Sequence, residues 1–405
     1  MMIVGIIGAG ASGMAAALAA AENPEIQVLL FERQARVGRK LQATGNGRCN
    51  LSNIHAVSDG YHGQQAEFSN AALQAFPPEK TLQWFYRLGL ITTCEPSGRV
   101  YPYSDQANSV VDVLRFALQK PNISLLTGFE VEKITIKDGR FLIEGNQGSH
   151  FCDRLIIACG GLAGTKLGGS LSGYKLLKTM GHRITKLRPS LVQIKSNWAG
   201  VVALKGVRAN CDVKILCNNE VFAQSAGELQ FTEYGVSGPV IFEISRDVCQ
   251  QPGKWVCRLD FLPNMEEAEL FSILCSRKDS ALNCEELLTG ILHNRLGRVL
   301  VQSMGIKLSD RIAQLSNADL RQICGAVKAF DISLVEPMGM DHAQVTAGGA
   351  VTDDFDPETM ESRLVPGLYA CGEVLDIDGD CGGYNLQWAW SSGYLAGRHA
   401  GGLKV

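Results

Sequence analysis

The chain has 405 residues, more than one ordinary hydrophobic core accommodates, so two or three domains are expected. Its formal net charge of -3 argues against a nucleic-acid-binding protein, because such proteins carry a basic patch. No run of about 18 apolar residues occurs, so a membrane-spanning helix is not expected either. We therefore expect a cytoplasmic protein with neither a nucleic-acid nor a membrane partner.

The first 32 residues predict a strand, a glycine-rich turn, a helix and a second strand. Residues 3–7 form an apolar run typical of a buried parallel strand, and a G-x-G-x-x-G turn follows at once. Gly8 permits a tight turn, Gly10 lets a pyrophosphate approach the backbone, and Gly13 lets helix and strand pack closely. The helix N-terminus then offers amide donors to the phosphates. This pattern predicts a dinucleotide site at Gly8, Ala9, Gly10, Ala11, Ser12 and Gly13.

Glu32 ends the second predicted strand, about 20 residues beyond the glycines, where an acidic side chain meets a ribose hydroxyl. An acid there disfavours a 2′-phosphate, so NADP is not expected in this site. The choice between NAD and FAD depends on distant segments. "RLIIACGG" (154–161) and "LYACGEVLDIDGDCGGYNLQ" (368–387) each predict an apolar strand that ends in glycines. Such segments are typical of flavoproteins in which the N-terminal unit and a C-terminal segment close on one FAD.

Longer motifs carry a resemblance that spans almost the whole chain: "GAGASG", "VGRKLQATGNGRCNLSN", "GRVYPYSDQA", "GELQFTEYGVSGP", "TAGGAV" and "MESRLVPGLYACGEVLDIDGDCGGYNLQWAWSSGYLAG". In these segments the sequence resembles the BaiN-like and aminoacetone-oxidase-like family of FAD-dependent (NAD(P)/FAD) oxidoreductases, which are two-dinucleotide-binding-type flavoproteins. The resemblance implies an α/β fold. Its parts would be a Rossmann-like FAD-binding domain of the glutathione-reductase type, an inserted β-barrel domain and a helical cap.

The expected domain boundaries follow the residue pattern. Residues 1–188 would form the first part of the FAD-binding domain, and residues 343–405 its C-terminal part. Between them, alternating polar and apolar residues predict a β-rich insertion over 189–262, which returns at 326–342. Apolar residues at helical spacing predict a helical subdomain over 263–325. No second G-x-G-x-x-G occurs in this middle part, so a dedicated NAD(P)H domain is not expected.

The resemblance also implies a set of FAD contacts. The loop 44–50 would lie along the pyrophosphate, the ribityl chain and the flavin, where cationic side chains offset phosphate charge or stabilise an anionic reduced flavin. Two roles stay open for Cys49, packing beside the flavin or redox chemistry. The expected cofactor-binding residues beyond the turn are Glu32, Arg33, Arg39, Lys40, Thr44, Gly45, Asn46, Gly47, Arg48, Cys49, Asn50, Val131, Ala158, Cys159, Gly160, Gly161, Gly372, Glu373, Asp376, Gly382, Gly383, Tyr384, Asn385, Leu386 and Gln387.

The 13 cysteines include no close CxxC pair, so we expect buried thiols in a reducing cytosol rather than a metal site. The candidate catalytic residues are Tyr384 and Arg48. A tyrosine is a plausible proton donor for enone reduction, and Tyr174, Tyr101 and Tyr234 also lie in motif-bearing segments. Arg99 in "GRVYPYSDQA" could pair with a substrate carboxylate or brace a loop.

Three functions are weighed, all with the oligomeric state open. The first is a reductase that passes hydride from NADH or NADPH, bound transiently, through flavin N5 to an activated C=C bond. Its substrate would be a small or polycyclic enone of the bile-acid or steroid type, as the BaiN-like resemblance implies. The second is an oxidase of an amine or aminoketone that produces H₂O₂. The third is an RNA-associated flavoprotein, against which the missing basic patch argues. Of these, we favour the reductase.

Overall fold

The computed structural model describes residues 1–250 and 253–404. Its contacts divide the chain into two compact units. The first unit contains Met1–Arg188 and the chain from Gln344 onward, and the second contains Pro189–Ala343. We retain the finer division of the insertion into barrel, helical subdomain and return segment as a proposal.

The described residues form the following elements. The strands are β1 (Met2–Ile7), β2 (Ile26–Glu32), β3 (Ser52–Asn53), β4 (Tyr61–His62), β5 (Thr92–Cys94), β6 (Arg99–Pro102), β7 (Ile123–Thr127), β8 (Val131–Lys137), β9 (Arg140–Gly145), β10 (Gly148–Cys152), β11 (Arg154–Ile157), β12 (Arg188–Ser190), β13 (Ile194–Ser196), β14 (Arg208–Cys217), β15 (Glu220–Phe231), β16 (Gly235–Ser237), β17 (Trp255–Asp260), β18 (Phe330–Pro337), β19 (Val345–Ala347), β20 (Leu368–Ala370) and β21 (Asp378–Gly379). The helices are α1 (Ala11–Ala20), α2 (Arg39–Ala43), α3 (Ser69–Ala75), α4 (Pro78–Arg87), α5 (Ala107–Ala117), α6 (Ser172–Thr179), α7 (Gly200–Ala203), α8 (Pro239–Gln250), α9 (Glu267–Ser276), α10 (Asn294–Ser303), α11 (Asn317–Lys328) and α12 (Tyr384–Ala400).

The first unit is built on a parallel sheet with strand order β20-β11-β1-β2-β7. Its central strands are short apolar runs, as expected for strands that helices cover on both faces. A three-stranded antiparallel sheet, β10-β9-β8, accompanies it. The predicted α/β, Rossmann-type fold is therefore confirmed.

Helix α12 brings the C-terminal segment back against the first helix through glycines spaced four residues apart. A Cβ on Gly393 would lie 2.3 Å from the carbonyl oxygen of Ser12, and one on Gly397 would lie 2.3 Å from that of Ala16. Only glycine allows the two backbones to approach this closely. The indole nitrogen of Trp388 also donates to the carbonyl oxygen of Gly372, 3.1 Å away. These contacts hold the C-terminal segment against the dinucleotide turn.

The second unit is a closed barrel with strand order β13-β16-β15-β14-β17-β18. Helices α9, α10 and α11 lie between β17 and β18 in the chain; α9 and α10 fall inside the segment 263–325 whose periodicity predicts helices, and α11 extends three residues beyond it. Helix α8 lies in the part of the chain predicted to be β-rich. It forms there because apolar residues recur at helical spacing and are buried in the core of this unit, namely Val240, Ile241, Ile244 and Val248. Among the described residues, we find no helix with the length and apolar character needed to cross a bilayer.

Candidate functional site

The glycine-rich turn between β1 and α1 is closely packed at two of its glycines and open at the third. Gly8 has a φ of +105°, and a Cβ there would lie 2.5 Å from the carbonyl oxygen of Ala158. A Cβ on Gly13 would lie 1.8 Å from the carbonyl oxygen of Gly8. A Cβ on Gly10, in contrast, would have no heavy atom within 4 Å. The turn is therefore packed behind Gly8 and Gly13 but open in front of Gly10, which fits a dinucleotide phosphate.

Glu32 links the end of β2 to this turn. One carboxylate oxygen accepts from the backbone N–H of Ala9 at 2.9 Å, and the other accepts from that of Gln34 at 2.8 Å. Each oxygen retains a second lone pair that can accept from a ribose hydroxyl. Arg39 donates to the Gln34 side chain at 3.0 Å, and Arg33 donates to the carbonyl oxygen of Gly168. These two arginines hold the loops around the turn, and Val131 is buried at the start of β8.

Three segments that are far apart in sequence meet at Glu373. Its carboxylate pairs with the Lys40 ammonium at 2.7 Å and accepts from the backbone N–H of Thr346 at 2.9 Å. A Cβ on Gly161 would lie 2.4 Å from the same carboxylate, so a larger residue there would displace the Glu373 side chain. Gly160, with a φ of +69°, has no heavy atom within 4 Å of its Cβ position. The structure therefore brings the predicted residues of segments 158–161 and 372–373 together with Lys40.

The loop 44–50 follows helix α2 and is unusually rich in left-handed backbone. Gly45, Asn46, Gly47 and Cys49 have φ values of 57°, 56°, 86° and 61°. A Cβ on Gly45 would lie 2.8 Å from the backbone nitrogen of Asn50, whereas the Cβ position of Gly47 is open. This backbone explains the glycines that the sequence places here, since most side chains disfavour such φ values.

The Asn50 side chain fixes the end of this loop to the start of helix α12. In the amide orientation that satisfies every partner, its nitrogen donates to the carbonyl oxygens of Val100 (3.3 Å) and Ser52 (3.1 Å). Its oxygen accepts from the backbone N–H of Gly383 at 3.2 Å. The loop and the helix start are thus one connected structure.

Cys49 is fully buried within this loop. Burial raises the pKa of its thiol to about 12, so the group stays protonated at neutral pH. Thiol redox chemistry proceeds through the thiolate. Of the two roles left open by the sequence, the structure favours packing.

Arg48 is engaged by neighbouring side chains. Its guanidinium pairs with Asp105 at 2.5 Å and with Glu95 at 3.3 Å, and it lies 4.1 Å from the ring centroid of Tyr101. Two carboxylates therefore offset its charge. This arrangement supports a role in bracing the loop more than one in stabilising an anionic flavin.

We expect Arg48→Ala to lower stability and to leave the flavin midpoint potential unchanged. Loss of two exposed ion pairs and one cation–π contact should cost about 1 kcal/mol, or about 2–4 °C in Tm. Arg115→Ala is the matched control, because Arg115 pairs with Asp112 and lies over Phe116 on helix α5. Thermal unfolding and spectroelectrochemical titration measure both quantities. A fall of more than about 10 mV in the Arg48 variant alone would show a direct effect on the cofactor.

The loop that precedes helix α12 has left-handed backbone and is held by side-chain hydrogen bonds. Gly382 and Gly383 have φ values of 123° and 104°. The Asn385 side chain bonds to both backbone groups of Gly379, at 2.8 and 2.6 Å, and Asn53 donates to the carbonyl oxygen of Gly382 at 2.9 Å. Because the first N–H groups of a helix have no intrahelical acceptor, they can face a polar ligand. Tyr384 and Leu386 lie in this first turn.

Gln387 has a packing role in the structure. Its side chain is fully buried and bonds to Ser52, the backbone of Phe76, Thr81 and Ser391. The helix also occupies its backbone N–H. The structure thus separates Gln387 from the open part of the site, although it lies in the predicted motif. Asp376 is buried as well, and it lies 3.4 Å from the backbone nitrogen of Gln64.

A pair that the sequence analysis did not select lies beside Tyr384. Strand β4 pairs with β21, and the His62 imidazole meets the Asp380 carboxylate at 2.7 Å. The hydroxyl of Tyr61 donates to the carbonyl oxygen of Tyr384 at 3.2 Å. Two-residue strands that join positions more than 300 residues apart leave no periodic signal in the sequence. The "DGD" of the C-terminal motif was the one available hint.

Comparisons with known proteins agree with this architecture. The family model described as HI0933-like protein Rossmann domain matches residues 2–399. A protein of Clostridium scindens named 3-dehydro-bile acid delta(4,6)-reductase is 40% identical over 403 residues, which are 98% of each chain. An Escherichia coli protein named ribosomal RNA dihydrouridine synthase is 32% identical over 96% of this chain and 95% of its own.

Among solved structures, a 3-ketosteroid delta1-dehydrogenase from Sterolibacterium denitrificans in complex with 1,4-androstadiene-3,17-dione matches with a TM-score of 0.49. It is 12% identical, and the match covers 99% of this chain and 100% of that chain. The family assignment rests on the full-length sequence matches. The chain belongs to the HI0933-like family and is a BaiN-like, FAD-dependent oxidoreductase with a Rossmann-type domain.

Proposed function

We propose that this protein reduces a carbon–carbon double bond conjugated to a carbonyl group, and that its substrate is a bile-acid or steroid enone. The observation that carries the proposal is the 40% identity, over 98% of both chains, to the named bile-acid reductase of Clostridium scindens. Such close similarity over the full length covers every segment of the candidate site.

In this proposal the first unit holds FAD. The open space before Gly10 and the start of α1 receive the diphosphate, and Glu32 accepts from the ribose. Loop 44–50 and the first turn of α12 lie along the rest of the cofactor. When bound, FAD supplies the hydride chemistry of the reaction. We retain the cofactor-binding residues expected from the sequence as a proposal. Gln387 and Arg48 would support the surrounding structure rather than contact the cofactor.

Arg99 is our candidate for holding an anionic part of the substrate. Its guanidinium packs over Gly382, where a Cβ would lie 3.0 Å from Nε. No carboxylate pairs with it within residues 1–250 and 253–404. A bile acid carries a side-chain carboxylate, and an arginine fork recognises such a group in bidentate fashion. Tyr384, a few residues along the same loop, would then line the substrate's path to the cofactor.

The electron donor is proposed to be NADH or NADPH. The sequence has one G-x-G-x-x-G turn, which the FAD would occupy. A nicotinamide cofactor would then bind transiently in the open site and leave before the enone enters. The alternative function, an oxidase of an amine or aminoketone, would use the same cofactor site and transfer electrons to O₂ instead.

A second candidate, reduction of uridine in ribosomal RNA, is supported by the 32% identity to the Escherichia coli dihydrouridine synthase. The C5=C6 bond of uracil is also conjugated to a carbonyl, so both candidates require the same chemistry. The expectation that the protein has no nucleic-acid partner therefore needs an experimental test. Mass spectrometry of ribosomal RNA incubated with the reduced enzyme would detect the gain of two hydrogens on uridine.

Anaerobic stopped-flow mixing of the yellow protein with NADH, NADPH or aminoacetone tests the direction of electron flow. We expect a reduced nicotinamide to bleach the flavin within seconds and aminoacetone to leave it oxidised. Bleaching by aminoacetone, followed by H₂O₂ formation when O₂ is admitted, would contradict the reductase and establish the oxidase.

A further inference from the structure

We infer that His62 delivers the proton of the reduction and that Asp380 holds its imidazole in place. This inference rests on the proposed function, because it assigns the proton that a carbonyl-conjugated double bond must receive together with a hydride. Asp380 lies in the C-terminal motif but was not among the expected site residues, and His62 lies outside the quoted motifs. The juxtaposition comes from the fold, which pairs β4 with β21 in front of helix α12.

The loop that carries Asp380 is anchored at several points. The backbone N–H of Asp380 donates to the carbonyl oxygen of Gly60 at 2.8 Å, and Asn385 bonds to both backbone groups of Gly379. The Tyr61 and Tyr384 rings pack edge to face, with centroids 5.7 Å apart. Asp380 and His62 are thus presented by rigid backbone on both sides.

The hydrogen-bond geometry assigns different roles to the two imidazole nitrogens. Nε2 of His62 meets the Asp380 carboxylate at 2.7 Å, so Nε2 carries a proton in the neutral ring. Nδ1 has no hydrogen-bond partner in the part of the chain that the structure describes. The side chains of His62 and Asp380 are 36% and 44% exposed, so solvent reaches the pair. An imidazole that is held by a carboxylate at one nitrogen can transfer a proton through the other nitrogen.

Neighbouring tyrosines are weaker donors. Burial raises the pKa of Tyr61 well above its usual value, and its hydroxyl already donates to the backbone of Tyr384. Tyr174 is buried too, desolvation raises its pKa, and its hydroxyl donates to the carbonyl oxygen of Glu373 at 3.4 Å. Burial also raises the pKa of Tyr101, whose ring is covered by the Arg48 guanidinium. The His62 imidazole, with a carboxylate on one nitrogen and no partner among the described residues on the other, is better placed to donate a proton to substrate.

The step balances as follows. One alkene carbon accepts the hydride, the electron pair of the C=C bond moves to the other alkene carbon, and that carbon takes the proton from Nδ1 of protonated His62. The imidazole becomes neutral, and solvent returns its proton. The two electrons of the hydride come from a reduced nicotinamide or, in the experiment, from the sacrificial electron donor that is consumed during photoreduction.

The test uses full-length His62→Ala, Asp380→Asn and the control His342→Ala, which alters an exposed histidine of the second unit. Each is photoreduced without O₂ and mixed with a 3-oxo-4,6-diene bile acid. We expect His62→Ala to retain FAD and to slow reoxidation by about 100-fold or more, with part of the rate restored by imidazole in solution. Asp380→Asn should slow reoxidation less, because Asp380 acts only by positioning His62.

A readout independent of turnover is the ¹⁵N spectrum of the histidine side chains. The His62 signal, assigned by its loss in His62→Ala, should show the Nε2–H tautomer, and Asp380→Asn should remove this preference. Wild-type reoxidation rates in His62→Ala, or slow rates that imidazole does not rescue, would overturn the role of His62. If the wild-type enzyme itself is not reoxidised by the enone, the proposed function fails, and the proton assignment fails with it.

Discussion

Gly10→Val should yield a folded protein that has lost its FAD. The Cβ position of Gly10 has no protein atom within 4 Å, so a valine fits the fold but fills the space proposed for the diphosphate. Overpacking of this kind costs about 3 kcal/mol, which weakens FAD binding about 100-fold. The flavin-to-protein absorbance ratio of the purified variant and titration with added FAD measure the loss.

Two further glycine variants control for effects on folding. Gly13→Ala places a methyl group 1.8 Å from the carbonyl oxygen of Gly8, so it should lower both FAD content and thermal stability. Gly339→Val alters a position with open space in the second unit, so it should change neither. A Gly10→Val protein with wild-type FAD content would show that the diphosphate lies elsewhere.

Gly383→Ala should abolish most of the enone-reductase activity. The residue has a φ of +104°, and a Cβ would lie 2.3 Å from the carbonyl oxygen of Ser52. The loop that begins α12 must therefore shift, and a displacement of about 1 Å in such a site can cost about 100-fold in rate. Steady-state rates, corrected for FAD content, measure the effect.

Gly402→Ala separates backbone strain from displacement of the site. Gly402 follows the end of α12 and also has a positive φ, +75°. A Cβ there would have no heavy atom within 4 Å. Both variants should lose some stability, since alanine disfavours this backbone region. Comparable activity in the two variants would mean that the start of α12 does not take part in the reaction.

Local sequence patterns were sufficient to predict the βαβ unit that is proposed to hold the cofactor. The spacing from Gly8 to Glu32 places a turn, a helix and an acid in one βαβ unit, and that geometry follows from chain connectivity alone. The sequence analysis missed helix α8. Its apolar residues lie between strand-like segments, in a region where the alternation of polar and apolar residues predicted strands.

The parts that depend on distant contacts were less predictable. The sequence shows Arg48 as a lone cation, and only the fold reveals Asp105 and Glu95 against it. Gln387 lies in a cofactor motif, yet helix geometry turns it toward the core. The pairing of His62 with Asp380 joins two short strands separated by most of the chain, and no local pattern encodes it.

The most direct test of the proposed reaction is its oxidative half. The photoreduced enzyme is mixed with a 3-oxo-4,6-diene bile acid in the absence of O₂, while flavin absorbance and the mass of the steroid are followed. We predict that the yellow colour returns within seconds and that the steroid gains two hydrogens. A flavin that stays reduced with the enone and is reoxidised only when O₂ is admitted would contradict the reductase assignment.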